Sequence, residues 1–138
     1  MSKKTFIWFG VLVAVLAVLI PWLAFRSDGD EVEAASVPAG LEQGRDLFDT
    51  NCGNCHTLYA AGADGNFGPD LDELLAPTGP PEGPNAQQTI EATEGRVLNA
   101  IENGVDGGTT AGRMPAEIIS GEQAEEVAEF VAATAGEG

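Results

Sequence analysis

Hydrophobic and polar positions divide the chain into an apolar head and a body in which short apolar stripes alternate with polar loops. Phe6 to Phe25 is a run of twenty residues without a charge. A helix of that length, rising 1.5 Å per residue, crosses the hydrocarbon core of a bilayer. Trp8 and Trp22 stand near its two ends, where indole rings favour the membrane interface. Ser27 to Pro38, with Asp28, Asp30, Glu31 and Glu33, has no apolar periodicity and predicts a solvated tether. Fully extended, it spans on the order of 40 Å.

The body predicts helices and loops, with no alternating run that reads as a strand. From Gly40 to about Asn51, Leu41, Gly44, Leu47 and Phe48 share one face, and Glu42, Arg45, Asp46 and Asp49 take the others. A glycine-rich stretch to Gly68 predicts a loop. Pro69 is then expected at the first position of a short helix, with Leu71, Leu74 and Leu75 turned inward. Ala76 to Pro84 holds four prolines and predicts an irregular surface loop. A third helix is expected over Thr93 to Asn103, burying Val97, Leu98 and Ile101 and stopping at Gly104. Gly107 to Gly112 predicts a flexible loop leading to Arg113-Met114-Pro115. The last helix is expected to open at Ser120, with Gln123 completing a capping box. Its core-facing stripe is Ala124, Val127, Val131 and Thr134, with Phe130 at the edge.

Charge sharpens this division. The net charge of the 138 residues is −16, and all 22 acidic residues lie from Asp28 onward, where Arg45, Arg96 and Arg113 are the only basic ones, leaving that part at −19. A body so acidic is unsuited to nucleic acid, whose phosphates need a positive surface. Lys3 and Lys4 precede the apolar run and place the N-terminus in the cytoplasm. A cleaved signal peptide is the competing reading of the head, with a small-residue site at Val32-Glu33-Ala34. However, the apolar run exceeds the usual core of about 7 to 15 residues, and the site lies beyond it across an acidic stretch. The organisation expected is a cytoplasmic segment over 1–5, a transmembrane anchor over 6–25, a tether over 26–38 and a folded domain over 39–138.

The chemistry sits in Cys52-Gly53-Asn54-Cys55-His56. Two cysteines three apart with a histidine directly after read as covalent c-type haem attachment. On a helical turn, residues i and i+3 lie on one face, so both thiols reach the two vinyl groups along one porphyrin edge. His56 follows where its imidazole can swing under the iron. The chain has two cysteines and one histidine, so a zinc site would have three ligands where a structural site wants four. A redox dithiol would have no use for the histidine. The body is also short of aromatic residues, with Phe48, Tyr59, Phe67 and Phe130 alone. A buried porphyrin would supply the missing apolar volume, so the apo-domain is expected to fold poorly.

Taken together, Gly44-x-x-Leu47-Phe48, Cys52-x-x-Cys55-His56, Gly68-Pro69-x-Leu71 and Met114-Pro115 before a C-terminal helix resemble, in that order, the small single-haem class I cytochromes c. The resemblance implies an all-α fold, a small helical domain around one covalent haem c, here preceded by one N-terminal transmembrane helix. It implies thioether attachment at Cys52 and Cys55 and axial iron ligation by His56 and Met114. It also implies a Pro69 carbonyl that accepts the imidazole N–H and packing of Gly44 and Phe48 on the last helix. Independently, Met114 is the one methionine of the body, and a sixth ligand is needed. The family's propionate-binding tryptophan is missing; Tyr59, Arg96 and Arg113 are the candidates to replace it.

Function follows from ligation. A six-coordinate His/Met iron has no open position for a substrate, and a thioether ligand raises the reduction potential. The expectation is therefore a membrane-anchored one-electron carrier, not an enzyme, with no small-molecule substrate. It would work in a respiratory chain between a quinol-oxidising complex and a terminal oxidase or reductase. Its haem domain would lie on the extracytoplasmic side of the cell membrane, and its redox partners would present a basic docking face. Two other readings stand beside it: a fixed haem subunit of a larger respiratory complex, such as a nitric oxide reductase, and a gas sensor in which Met114 dissociates.

Overall fold

The structure, a computed structural model, describes residues 8, 12–20, 37–107 and 112–138. The chain divides into two units, Met1–Val32 and Glu33–Gly138. In the first, residues 12–20 are helical (α1), and side chains such as Leu12, Val18 and Ile20 are exposed. Among the described residues no helix is long and apolar enough to cross a membrane. Most of the expected anchor over 6–25 and tether over 26–38, and the centre of the loop over Gly107 to Gly112, lie outside the described residues.

The second unit is built on three helices. α2 spans Glu42–Asn51 and buries Gly44 and Phe48. It begins two residues later than the apolar stripe, because Gly40 adopts φ +99° and makes a turn closed by the Glu42 carboxylate, which accepts the Gly40 N–H at 2.8 Å. α4 spans Ala86–Asn103 and α5 spans Glu122–Thr134. α5 packs against both α2 and α4 and buries Ala124, Val127, Ala128, Phe130, Val131, Ala132 and Thr134. Its Phe130 ring meets Phe48 at a centroid distance of 6.2 Å, tilted by 59°, within the favoured range for aromatic pairs. The two helices approach this closely because residue 44 has no side chain. A Cβ there would fall on the Glu126 carbonyl oxygen and lie 2.7 Å from Phe130 Cβ.

Four expectations are corrected. The glycine-rich loop after His56 contains a small hairpin: β1 (Thr57–Leu58) pairs antiparallel with β2 (Ala63–Asp64) through a 3-10 turn over Tyr59–Ala61. Two-residue strands are too short for an alternating pattern to register. Otherwise the regular structure of the described body is helical. Pro69 does not open the short helix α3, which spans Leu71–Leu75; Asp70 is its N-cap, with Oδ1 accepting the N–H groups of Asp72 and Glu73 at 2.9 and 3.3 Å. The helix expected from Thr93 begins at Ala86. Its first turns, Ala-Gln-Gln-Thr, carry no apolar stripe and are held by local bonds such as Gln87 Nε2 to Glu91 Oε1 at 3.2 Å. The capping box at Ser120 does not form. Gly121, at φ +60°, is the N-cap of α5 and no side chain bonds the helix start.

Candidate haem site

Phe48 on α2 accepts two backbone bonds through its carbonyl, from Cys52 N–H at 2.7 Å and Gly53 N–H at 2.9 Å. The chain then turns so that the N–H groups of Cys55 and His56 both donate to the Cys52 carbonyl at 3.0 Å. This tight turn carries both thiols and the imidazole to the wall of one cavity. Cys52 is buried and Cys55 exposed, and both are free thiols. Burial, and then the neighbouring Cys55, push the Cys52 thiol up to about 11. At neutral pH it is a neutral thiol, a weak nucleophile and a poor metal ligand on its own.

The histidine is oriented from behind. Its Nδ1 lies 2.9 Å from the Pro69 carbonyl oxygen. A carbonyl only accepts, so Nδ1 carries the proton and donates it, leaving the Nε2 lone pair as the ring's free donor. Gly68 presses against the same ring; a Cβ on it would lie 2.6 Å from Cε1 and 2.8 Å from Nδ1. Its N–H in turn donates to the Cys55 carbonyl at 2.6 Å, so the loop carrying Pro69 is tied back to the motif.

Met114 reaches the same cavity by a different device. Val105 and Met114 form an isolated antiparallel bridge, each donating its N–H to the other's carbonyl, at 3.0 and 2.9 Å. Gly104, the C-cap of α4 at φ +69°, lets this segment come close, since a Cβ there would sit 2.7 Å from the Met114 carbonyl oxygen. The Glu117 N–H donates to the Ile101 carbonyl at 2.8 Å and anchors the chain beyond Pro115 to α4.

The cavity measures about 960 Å3, at the upper end of the range for cofactor pockets. Phe48, Val97, Ile101, Val127 and Val131 give it an apolar wall from the three long helices, and Leu71, Leu74 and Leu75 add α3. Leu74 is 51% exposed and Phe67 64%, so both sit at the mouth. Arg96 and Arg113 also line it, whereas Tyr59 does not. Among the described residues Arg113 makes a loose, exposed contact with Asp106 at 3.9 Å. Among the described residues no three His, Cys, Asp or Glu side chains converge to hold a bare metal ion. An apolar slot of this size, with two thiols, one imidazole of fixed tautomer and one uncharged thioether on its wall, fits a haem. Sequence reasoning missed the Val105–Met114 bridge and the hold of Gly68 on the imidazole, neither of which leaves a periodic trace.

The family model for cytochrome c matches residues 41–135. A solved structure, that of the c-type cytochrome SorU from Sinorhizobium meliloti, is similar at 35% identity, covering 70% of this chain and 91% of that one with a TM-score of 0.50. No curated protein matches the chain. The chain therefore belongs to the cytochrome c family, as an electron carrier with covalently bound haem c and redox proteins for partners.

Proposed function

We propose that the protein is a membrane-anchored, single-haem class I cytochrome c that carries one electron at a time in a respiratory chain, between a quinol-oxidising complex and a terminal oxidase or reductase. The observation that carries this reading is the convergence of Cys52, Cys55, His56 and Met114 on one apolar cavity. When bound, the haem supplies the one-electron couple. Cys52 and Cys55 would hold it by thioether bonds, His56 Nε2 and the Met114 sulfur would fill the iron's two remaining positions, and Pro69 keeps the imidazole in the tautomer that leaves Nε2 free. Filling both positions leaves no site for a substrate, which is why the protein is a carrier and not an enzyme.

The uncharged run over 6–25, preceded by Lys3 and Lys4 and holding a tryptophan near each end, supports the anchor, and the exposed apolar side chains of residues 12–20 suit a lipid surround. Since haem is attached outside the cytoplasm, the domain is exported while the N-terminus stays inside. The charge of −19 from Asp28 onward favours a partner with a basic docking face, whose attraction acts on the encounter rate.

The test is expression in a host that exports and matures c-type cytochromes. The expected product is a membrane-bound protein with an intact N-terminus and one haem that acidic solvent does not extract, inert to carbon monoxide. Ready carbon monoxide binding points to the gas sensor, and inseparable copurification with an oxidase or reductase points to a fixed subunit. Extractable haem refutes the whole reading, and a mature N-terminus near Ala35 refutes the anchor alone.

A further inference from the structure

Asp72 is the sole buried carboxylate among the described residues, 9% exposed in the first turn of α3, and none of the chemistry assigned to the cavity uses it. A carboxylate out of water needs a partner for each oxygen. Here both partners are backbone N–H groups from distant segments. Oδ2 accepts from Tyr59 at 2.8 Å and Oδ1 from Gly136 at 2.7 Å.

The first of these bonds falls in a telling place. Tyr59 lies three residues beyond His56, and Asp72 lies three residues beyond Pro69. The Asp72–Tyr59 bond therefore joins the same two segments that the His56–Pro69 bond joins. The His56–Pro69 and Gly68–Cys55 bonds cross these segments at adjacent residues and leave them free to pivot about that point, whereas a further bond three residues on fixes both separation and tilt. The Gly136 bond holds the carboxylate in the rotamer that makes this possible. It also ties the end of the chain, since a Cβ on Gly136 would lie 2.8 Å from Ala76 Cβ.

We propose that Asp72 is a positioning residue for the histidine ligand: by holding Tyr59, its carboxylate sets the Pro69 carbonyl against Nδ1 of His56. The inference rests on the reading of His56 as an iron ligand and extends it one step outward. Its consequence is that the tautomer and tilt of the imidazole depend on a side chain that does not touch it.

The experiment follows exchange of the His56 Nδ1 proton by NMR in the reduced, haem-loaded protein, well below its melting temperature. Asp72→Ala removes both bonds; Asp72→Asn keeps the shape but turns an amide N–H2 toward one of the two donors. Glu73→Gln removes the same charge from the next position without touching Tyr59. Phe130→Leu loosens the seam between α2 and α5 and serves as a control for overall destabilisation. Exchange is expected to quicken by about tenfold or more in Asp72→Ala, equivalent to about 1.4 kcal/mol of lost protection. It should quicken by less in Asp72→Asn and stay unchanged in the two controls. Should Asp72→Ala yield no holoprotein, Asp72→Asn decides by the same comparison. Protection unaltered by substitution of Asp72, or lost equally in Phe130→Leu, overturns the inference while leaving the site intact. A wild-type haem without an exchange-protected His56 Nδ1 proton overturns the ligand assignment, and the inference with it.

Discussion

Gly68→Ala adds a single methyl group beside the imidazole. Gly68 is outside the left-handed region, so alanine suits its backbone and stiffening the unfolded chain would alone stabilise the protein by about 0.4 to 1 kcal/mol. Space decides otherwise. The new Cβ would stand 2.6 Å from His56 Cε1, while carbon atoms rest at about 3.5 to 4.0 Å, so ring or loop must retreat by about 1 Å. A shift of that size strains the 2.9 Å bond from Nδ1 to Pro69 toward the limit of hydrogen-bonding geometry. Overpacking costs about 1 to 3 kcal/mol and a weakened hydrogen bond about 1 more, so the net loss after the backbone gain is about 1 to 3.5 kcal/mol. For a domain of this size that lowers Tm by at least about 4 °C and by up to about 28 °C. The assay is thermal unfolding of the haem-loaded protein followed by its Soret absorbance, with the spectrum recorded before heating. A variant that melts within about 2 °C of the wild type with an unaltered spectrum would refute the claim that Gly68 packs the ligand.

Three further outcomes are expected. Gly44→Ala, whose Cβ would collide with the Glu126 carbonyl and with Phe130, should part α2 from α5 and cost about 1 to 3 kcal/mol, read by chemical denaturation of the holoprotein. Met114→Ala should open the sixth position, lower the reduction potential, admit carbon monoxide and abolish the near-infrared band of thioether ligation; an unchanged spectrum would identify another ligand. Burial, and then the nearby Asp72, hold the Glu137 carboxyl above its ordinary 4.5. The folded state therefore binds this proton more tightly than the unfolded one, and as pH rises through the raised value the charged Glu137 detracts from stability. Glu137→Gln should accordingly gain stability over the wild type near pH 7 and lose that advantage below about pH 4, as paired melts across pH would show.

The sequence carried those parts of the molecule that repeat with a period or depend on a fixed spacing. The stripe of α5 is the clearest case: Ala124, Val127, Phe130, Val131 and Thr134 are all buried. Likewise the Cys52-to-His56 motif lies on one cavity wall. What escaped was built from single contacts. The first two turns of α4, Ala86 to Ala92, carry Ile90 as their one large apolar side chain, so no stripe announced them. The start of α5 is set by the backbone of Gly121, not by Ser120. Asp72 reads in sequence as one more acid in a helix's first turn, and only the arrival of Tyr59 and Gly136 from elsewhere in the chain distinguishes it from exposed Glu73.

The bridge between Val105 and Met114 closes the base of the segment that connects them. Because both of its hydrogen bonds lie below that segment, the register of Met114 against α4 is set without reference to how many residues intervene. Lengthening a closed loop is thermodynamically mild, about 0.6 kcal/mol for each doubling. An insertion, a reporter peptide or a partner-specific graft placed between Gly107 and Gly112, both of which line the cavity, should thus leave the methionine in its place.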